Sequence, residues 1–172
     1  MLGSEASGKS SILRLLAAGS SFEMQQQISM TAMCQEWLEL SNMKISTIDY
    51  WAMHPGFISK IQDFVKENVD GMIMVLNAVD TDKFLTDDPN YIIQHYLAEV
   101  EETAESVLLV LVNRWDRDGA TSIESIAVRI DYTLAKHGRG EQCYSIFPIN
   151  AKTGTGLAES CKWFSEQLNQ KA

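Results

Sequence analysis

An α/β fold with a mostly parallel central sheet is what this sequence predicts, and three observations carry that reading. Two short, continuous apolar runs, residues 71–76 (Gly-Met-Ile-Met-Val-Leu) and 107–112 (Val-Leu-Leu-Val-Leu-Val), look like parallel strands buried on both faces. Stretches with apolar residues at helical spacing alternate with strand-like runs along the chain. Residues 3–10, Gly3-Ser4-Glu5-Ala6-Ser7-Gly8-Lys9-Ser10, fit the phosphate-loop pattern G-x-x-x-x-G-K-[ST] at every fixed position. In open α/β sheets ligands sit beyond the carboxyl ends of the strands. The residues just after each strand are therefore where chemistry is expected.

Taken in order, Met1 and Leu2 read as the end of a first strand whose beginning is truncated. Residues 10–18 read as a helix with Ile12, Leu15 and Leu16 on one face and Gly19 as its stop. Residues 20–33 are polar, include Gln25-Gln26-Gln27, and read as a loop. Residues 34–40 and 44–49 are strand-like around Ser41-Asn42, a hairpin turn. Pro55-Gly56 marks a turn in the irregular stretch 50–56. Ile58, Ile61 and Val65 give residues 57–67 a helical spacing. The first apolar run follows, then a helix over 90–103 after Asp87-Asp88-Pro89, then the second apolar run. Ile123, Ile126, Ile130 and Leu134 make a helical stripe ending near Gly138. Residues 144–149 read as a strand. Leu157, Cys161, Phe164 and Leu168 form the inner face of a final helix. No repeat, low-complexity tract or linker interrupts the chain, so residues 1–172 read as a single domain.

Composition fits an ordinary globular core, at 45% hydrophobic and 22% charged residues. There are 14 Lys+Arg against 23 Asp+Glu, a net charge of −9, which argues against nucleic acid or an anionic membrane as partner. A nucleotide remains compatible, since its site needs only local positive charge and N–H groups. Cys34, Cys143 and Cys161 contain no C-x-x-C, as expected of free thiols in a reducing, cytoplasmic setting. His54, His95 and His137 are too scattered for a zinc motif. No apolar run approaches ~18 residues, and there is no secretory signal. Leu2, not glycine, follows Met1, so the myristoylation pattern is missing.

The phosphate loop needs its spacing. Its glycines let the backbone curl so that successive N–H groups face phosphate oxygens. Gly3, Ser4, Glu5, Ala6, Ser7 and Gly8, with Ser10 and Ser11 opening the helix, form the expected cradle. Lys9 reaches the terminal phosphates as a point charge, and the Ser10 hydroxyl can ligate Mg²⁺. The helix starting near Gly8 aims its positive end at the same anion.

Asn113-Arg114-Trp115-Asp116 follows the second apolar run. The Asp116 carboxylate can accept from both N1–H and the exocyclic amine of guanine, with charge-assisted hydrogen bonds. Adenine would leave it unpaired. Asn113 would tie this loop to the phosphate loop, and the Arg114 stem could cover the base plane. Asn150-Ala151-Lys152-Thr153-Gly154 follows the last strand. Small Ala151 would let a backbone N–H approach the guanine O6, and the Lys152 stem could lie over the base. An ordinary helix-capping loop, with Thr153 and Thr155, is the alternative there.

With these motifs the chain resembles the Ras-superfamily small GTPases, and is most similar to the Arf/Sar/Arf-like branch. Residues 3–15 (GSEASGKSSILRL), 113–116 (NRWD) and 150–168 (NAKTGTGLAESCKWFSEQL) carry the resemblance. Arg114 stands in the motif's lysine place and Asn150 in its serine/threonine place. The resemblance implies a three-layer P-loop GTPase fold, binding of GTP/GDP with Mg²⁺, and switch regions that recruit protein effectors and regulators. It implies Thr31 as the switch I magnesium ligand, with Ser29 as fallback, and Asp49 as the magnesium-side aspartate. Switch II departs from the family, reading Asp49-Tyr50-Trp51-Ala52-Met53. Ala52 sits where a glycine N–H approaches the γ-phosphate, and Met53 where glutamine would orient water. A thioether cannot do that. His54 is the candidate catalytic substitute; a loop histidine without a role is the alternative. Met24, Met30, Met33, Met43 and Met53 suit either a partner surface or core filling.

The expected function is a GTP/GDP switch with slow or partner-assisted hydrolysis. A nucleotide-locked or pseudo-GTPase scaffold is the second reading, and an ATP-using P-loop enzyme the third. A monomer is expected, in the cytoplasm or peripheral to a membrane; membrane association is left open and is not encoded in this chain.

Overall fold

Alternate residues of the two apolar runs face opposite sides of a sheet, and that alternation sets the architecture. The structure is a computed structural model, and it describes residues 1–3, 6–18, 25–28, 33–40, 43–50, 69–80 and 105–171. Its elements in order are β1 (Leu2–Gly3), α1 (Lys9–Ala18), β2 (Gln25–Ile28), β3 (Met33–Leu40), β4 (Met43–Tyr50), β5 (Gly71–Asn77), β6 (Val107–Asn113), α2 (Ile123–Lys136), β7 (Tyr144–Ile149) and α3 (Leu157–Lys171).

The parallel strands run in the order β1-β5-β6-β7. Met72, Met74 and Leu76 of β5, with Leu108, Val110 and Val112 of β6, form one buried face and pack with Ile126, Ile130 and Leu134 of α2. Ile73 and Val75, with Val107, Leu109 and Leu111, form the other. They pack with Ile12 and Leu13 of α1 and with Leu157 and Phe164 of α3. Helices therefore cover both faces of a parallel sheet, the three-layer α/β arrangement the sequence predicts. No described helix is long and apolar enough to cross a membrane.

Beside this sheet lies an antiparallel one, β2-β3-β4. Leu40 pairs with Met43, so residues 41–42, which lie outside the described set, connect the hairpin. The sheets meet at the Met1 α-amino group, which donates to the Ser46 carbonyl. Leu38, Ile45 and the partly buried Met43 pack into the core on the α1 side, so Met43 fills core.

Two expectations are corrected. The stretch 20–33, read as loop, contains β2, which pairs antiparallel with β3 from Gln25↔Trp37 to Ile28↔Cys34. An edge strand is held by backbone hydrogen bonds to one neighbour, so Gln-Gln-Gln-Ile needs no alternating pattern to form it. In α3, Ser160 rather than Cys161 belongs to the fully buried set with Leu157 and Phe164. Its hydroxyl donates to the Leu157 carbonyl at 2.9 Å, so a small polar group packs against the sheet with its hydrogen bond satisfied on its own helix. Cys161 is half-buried, and burial raises its thiol pKa.

Helix α2 starts and stops where its sequence says. The Ser122 hydroxyl accepts from the Ser125 N–H at 3.2 Å as N-cap, and Gly138 leaves the helix with φ +70°. The helices expected over 57–67 and 90–103 lie outside the described residues.

Candidate functional site

Strand register brings the predicted loops level with one another. Gly3 at the end of β1 pairs with Val75, Asn77 at the end of β5 with Asn113, and Asn113 at the end of β6 with Ile149. The phosphate loop, the loop after β6 and the loop after β7 thus leave the sheet on one edge.

Asn113 joins all three. It is 6% exposed at the last position of β6. Its Nδ2 donates to the Ser7 carbonyl at 2.8 Å. Its Oδ1 accepts from the Ala151 N–H at 3.1 Å and from the Arg114 N–H at 3.0 Å. One buried amide thereby fixes the spacing of the phosphate loop, the Arg114–Asp116 stretch and the Ala151–Lys152 stretch.

Gly8 is where the phosphate loop comes up against the other two loops. A Cβ there would lie 2.7 Å from Asn113 Nδ2 and 3.0 Å from Ala151 Cβ, and its φ of +112° is a glycine conformation. The Gly8 carbonyl accepts the first helical bond of α1, from Ile12 N–H at 2.9 Å. A helix that starts this way has no intrahelical acceptors for its first-turn N–H groups, which is what suits such a helix end to an anion. Lys9 is 3% exposed, and its Nζ donates to the Gly3 carbonyl at 3.0 Å, holding the amine against the loop. The Ser7 hydroxyl is buried without a hydrogen-bond partner among the described residues.

Asn150 folds the third loop. Its Oδ1 accepts from the N–H groups of Lys152 at 3.0 Å and Thr153 at 3.2 Å, an Asx turn that presents Ala151 and Lys152. Arg114, with φ +60°, opens the second loop, and Arg117 N–H closes a turn back to the Arg114 carbonyl at 3.2 Å.

Together these loops surround a cavity of about 500 Å³. Ten predicted nucleotide-contact residues line it: Ala6, Gly8, Lys9, Ser10, Ser11, Asn113, Arg114, Asp116, Ala151 and Lys152. Gly3 and Ser7 lie beneath the loop instead, contributing carbonyls to Lys9 and Asn113. Ser4, Glu5, Thr31, Ala52 and His54 lie outside the described residues. Asp49 is placed by backbone alone, in β4 opposite Cys34.

Arg117 and Asn150 also line the cavity. Asn150 had a signal, since Asn followed by a short polar loop favours the Asx turn it makes. Arg117 had none, being one charge in a run of polar residues.

The lining carries Lys9, Arg114, Arg117 and Lys152 against one carboxylate, Asp116. A curled loop, a helix N-terminus, a buried lysine and this charge excess fit a phosphorylated ligand. For magnesium, Ser10 is in place at the cavity wall. No cluster of three His, Cys, Asp or Glu capable of holding a metal occurs among the described residues.

The profile of the ADP-ribosylation factor (Arf) family matches residues 1–168. The chain belongs to the Arf family. It is similar to ADP-ribosylation factor-like protein 1 of Drosophila melanogaster, at 25% identity over 99% of this chain and 88% of that protein. Against the Saccharomyces cerevisiae protein of the same name the identity is 23%, over 99% and 87%. The fold matches that of the Arl6 BBS3 small GTPase of Trypanosoma brucei, solved with the nucleotide analogue GppNp, with a TM-score of 0.72, 20% identity and coverage of 100% and 96%. The architecture is thus the P-loop GTPase fold, in an Arf-like member of the Ras superfamily. Arf-family proteins are nucleotide-binding molecular switches. The cavity described above lies at the strand ends of that fold.

Proposed function

We propose that this Arf-family chain binds GDP and GTP with Mg²⁺ and works as a switch read by protein effectors and regulators. The observation that carries the reading is the Asn113 amide, which holds the Lys9–Ser10 end and the Asp116–Ala151 end of one cavity at fixed spacing. The first end suits phosphate and the second suits guanine. Ser10 is assigned as a magnesium ligand, with Asp49 and Thr31 as its partners from the sequence.

Calorimetry with purified protein tests this. GDP should bind at least about 100-fold more tightly than ADP, because a site built to hydrogen-bond one edge rejects a base that lacks it. Asp116→Ala should erase that preference while leaving phosphate affinity. Lys9→Ala should weaken every nucleotide, roughly 100-fold, by removing a charge-assisted contact. Equal affinities for ADP and GDP would sink the proposal.

Hydrolysis is expected to be slow unless a partner assists. Met53 cannot orient water, and loss of one positioned group commonly costs about 100-fold in rate. Single-turnover GTP hydrolysis should therefore rise in Met53→Gln. If His54→Ala alone abolishes turnover, His54 is the catalytic group. The sequence Tyr50-Trp51-Ala52-Met53 also favours a second reading, a nucleotide-locked scaffold. That reading gains if wild type and Met53→Gln both hold GTP unhydrolysed.

A further inference from the structure

We infer that Arg117 is a further residue of this site, a steering charge that speeds the arrival of nucleotide rather than holding it once bound. The inference rests on the guanine-nucleotide reading above. Arg117 belongs to none of the motifs that identify the site, yet it lines the cavity together with Asp116. Its placement is not loose. Its N–H donates to the Arg114 carbonyl at 3.2 Å, and its own carbonyl accepts from Ala120 N–H at 3.1 Å. The turn sends Arg114, Asp116 and Arg117 to the cavity, while Trp115, 46% exposed, is not part of the lining.

Charge gives this placement its consequence. The chain carries −9 overall, so a nucleoside diphosphate approaching at random meets repulsion. At the rim positive charge is in excess, with Asp116 the one carboxylate among the lining residues. Arg114, Arg117 and Lys152 are all exposed there, and none is in an ion pair with a described residue. Lys9, 3% exposed on the floor, is sunk in the loop and projects less into solvent. A cleft lined by an excess of one sign of charge focuses the field and raises the association rate of an oppositely charged ligand. Exposed guanidinium held by no carboxylate acts before contact, so its effect belongs to association. It must also fade with salt, because the Debye length falls from about 30 Å at 0.01 M to about 8 Å at 0.15 M.

The experiment is stopped-flow association and chase of N-methylanthraniloyl-GDP with the full chain and Mg²⁺, at about 10 mM and 500 mM salt. Wild type is compared with Arg117→Ala, Arg117→Lys and Arg117→Glu. At low salt Arg117→Ala should associate about three-fold more slowly and Arg117→Glu about ten-fold, while Arg117→Lys matches wild type. At high salt the four should converge, and their dissociation rates should agree within about two-fold at both. An Arg117→Lys rate as slow as that of Arg117→Ala, or a salt-independent change in dissociation, would overturn the inference in favour of a fixed contact. So would an Arg117→Glu rate equal to wild type at low salt, with GDP binding intact. A wild type that takes up no GDP at all would instead overturn the nucleotide reading itself.

Discussion

Asn113→Ala is expected to lower the unfolding free energy by about 3–5 kcal/mol and to weaken GDP binding with it. The side chain is 6% exposed and makes hydrogen bonds to Ser7, Ala151 and Arg114. Alanine removes all three. It leaves the Ser7 carbonyl and the Ala151 N–H without partners in buried surroundings, and each such group costs roughly 1–3 kcal/mol. The void left by the amide adds to this. Binding suffers because the two ends of the cavity lose their spacer, and misplacement of about 1 Å is expensive for positioned groups. Asn113→Asp separates spacing from hydrogen bonding. Its oxygens can still accept from Ala151 and Arg114, but its carboxylate faces the Ser7 carbonyl where a donor was. It should be at least as damaging as alanine above the carboxylate pKa. Urea unfolding of the three proteins reads the stability, and calorimetry with GDP reads the binding. An Asn113→Ala protein that unfolds at the wild-type midpoint would show that the amide does not join the loops in solution.

Asn113 also shows why much of this site was legible in the sequence. A polar residue directly after a continuous apolar run must leave the sheet at its carboxyl end, and the register of parallel strands then puts it beside the other loops. The phosphate loop was legible because it needs glycine at fixed places, as the φ of Gly8 requires. The core was legible because burial on both faces forces unbroken apolar runs in β5 and β6.

What escaped did so for equally physical reasons. Strand β2 lies at an edge, where backbone bonds to β3 suffice and Gln-Gln-Gln-Ile carries no periodic signal. In α3, the spacing of Leu157, Cys161, Phe164 and Leu168 suggested the helix correctly but not its exact phase. Ser160 takes the tightest place against the sheet because it is small and bonds its own backbone. Arg117 escaped because nothing in Arg-Trp-Asp-Arg-Asp says which side chains a turn will send inward. That depends on the positive φ of Arg114 and the bond that closes the turn at Arg117.

Gly8→Ala should strongly damage the phosphate loop, and Gly138→Ala isolates the reason. Both glycines have positive φ, +112° and +70°. At Gly138 an added Cβ meets nothing within 4 Å, so alanine there bears only the conformational cost, about 1 kcal/mol. At Gly8 the conformation lies further from anything an L-residue adopts, and the added Cβ meets Asn113 Nδ2 at 2.7 Å and Ala151 Cβ at 3.0 Å. Neither neighbour can yield freely, since the Asn113 amide is held at both its nitrogen and its oxygen. Either the loop moves off the sheet edge or the Asn113 bonds stretch, and both deform the cavity. The expected loss is roughly 3 kcal/mol or more, from strain plus at least one compromised buried hydrogen bond. GDP affinity should fall by at least about 100-fold, because the N–H groups proposed to face phosphate lie on either side of the displaced residue. Gly138→Ala, at the far end of α2, should leave GDP affinity at the wild-type value. If the two variants lose the same stability and both keep wild-type affinity, the close approach of the phosphate loop to Asn113 is not what holds this site together.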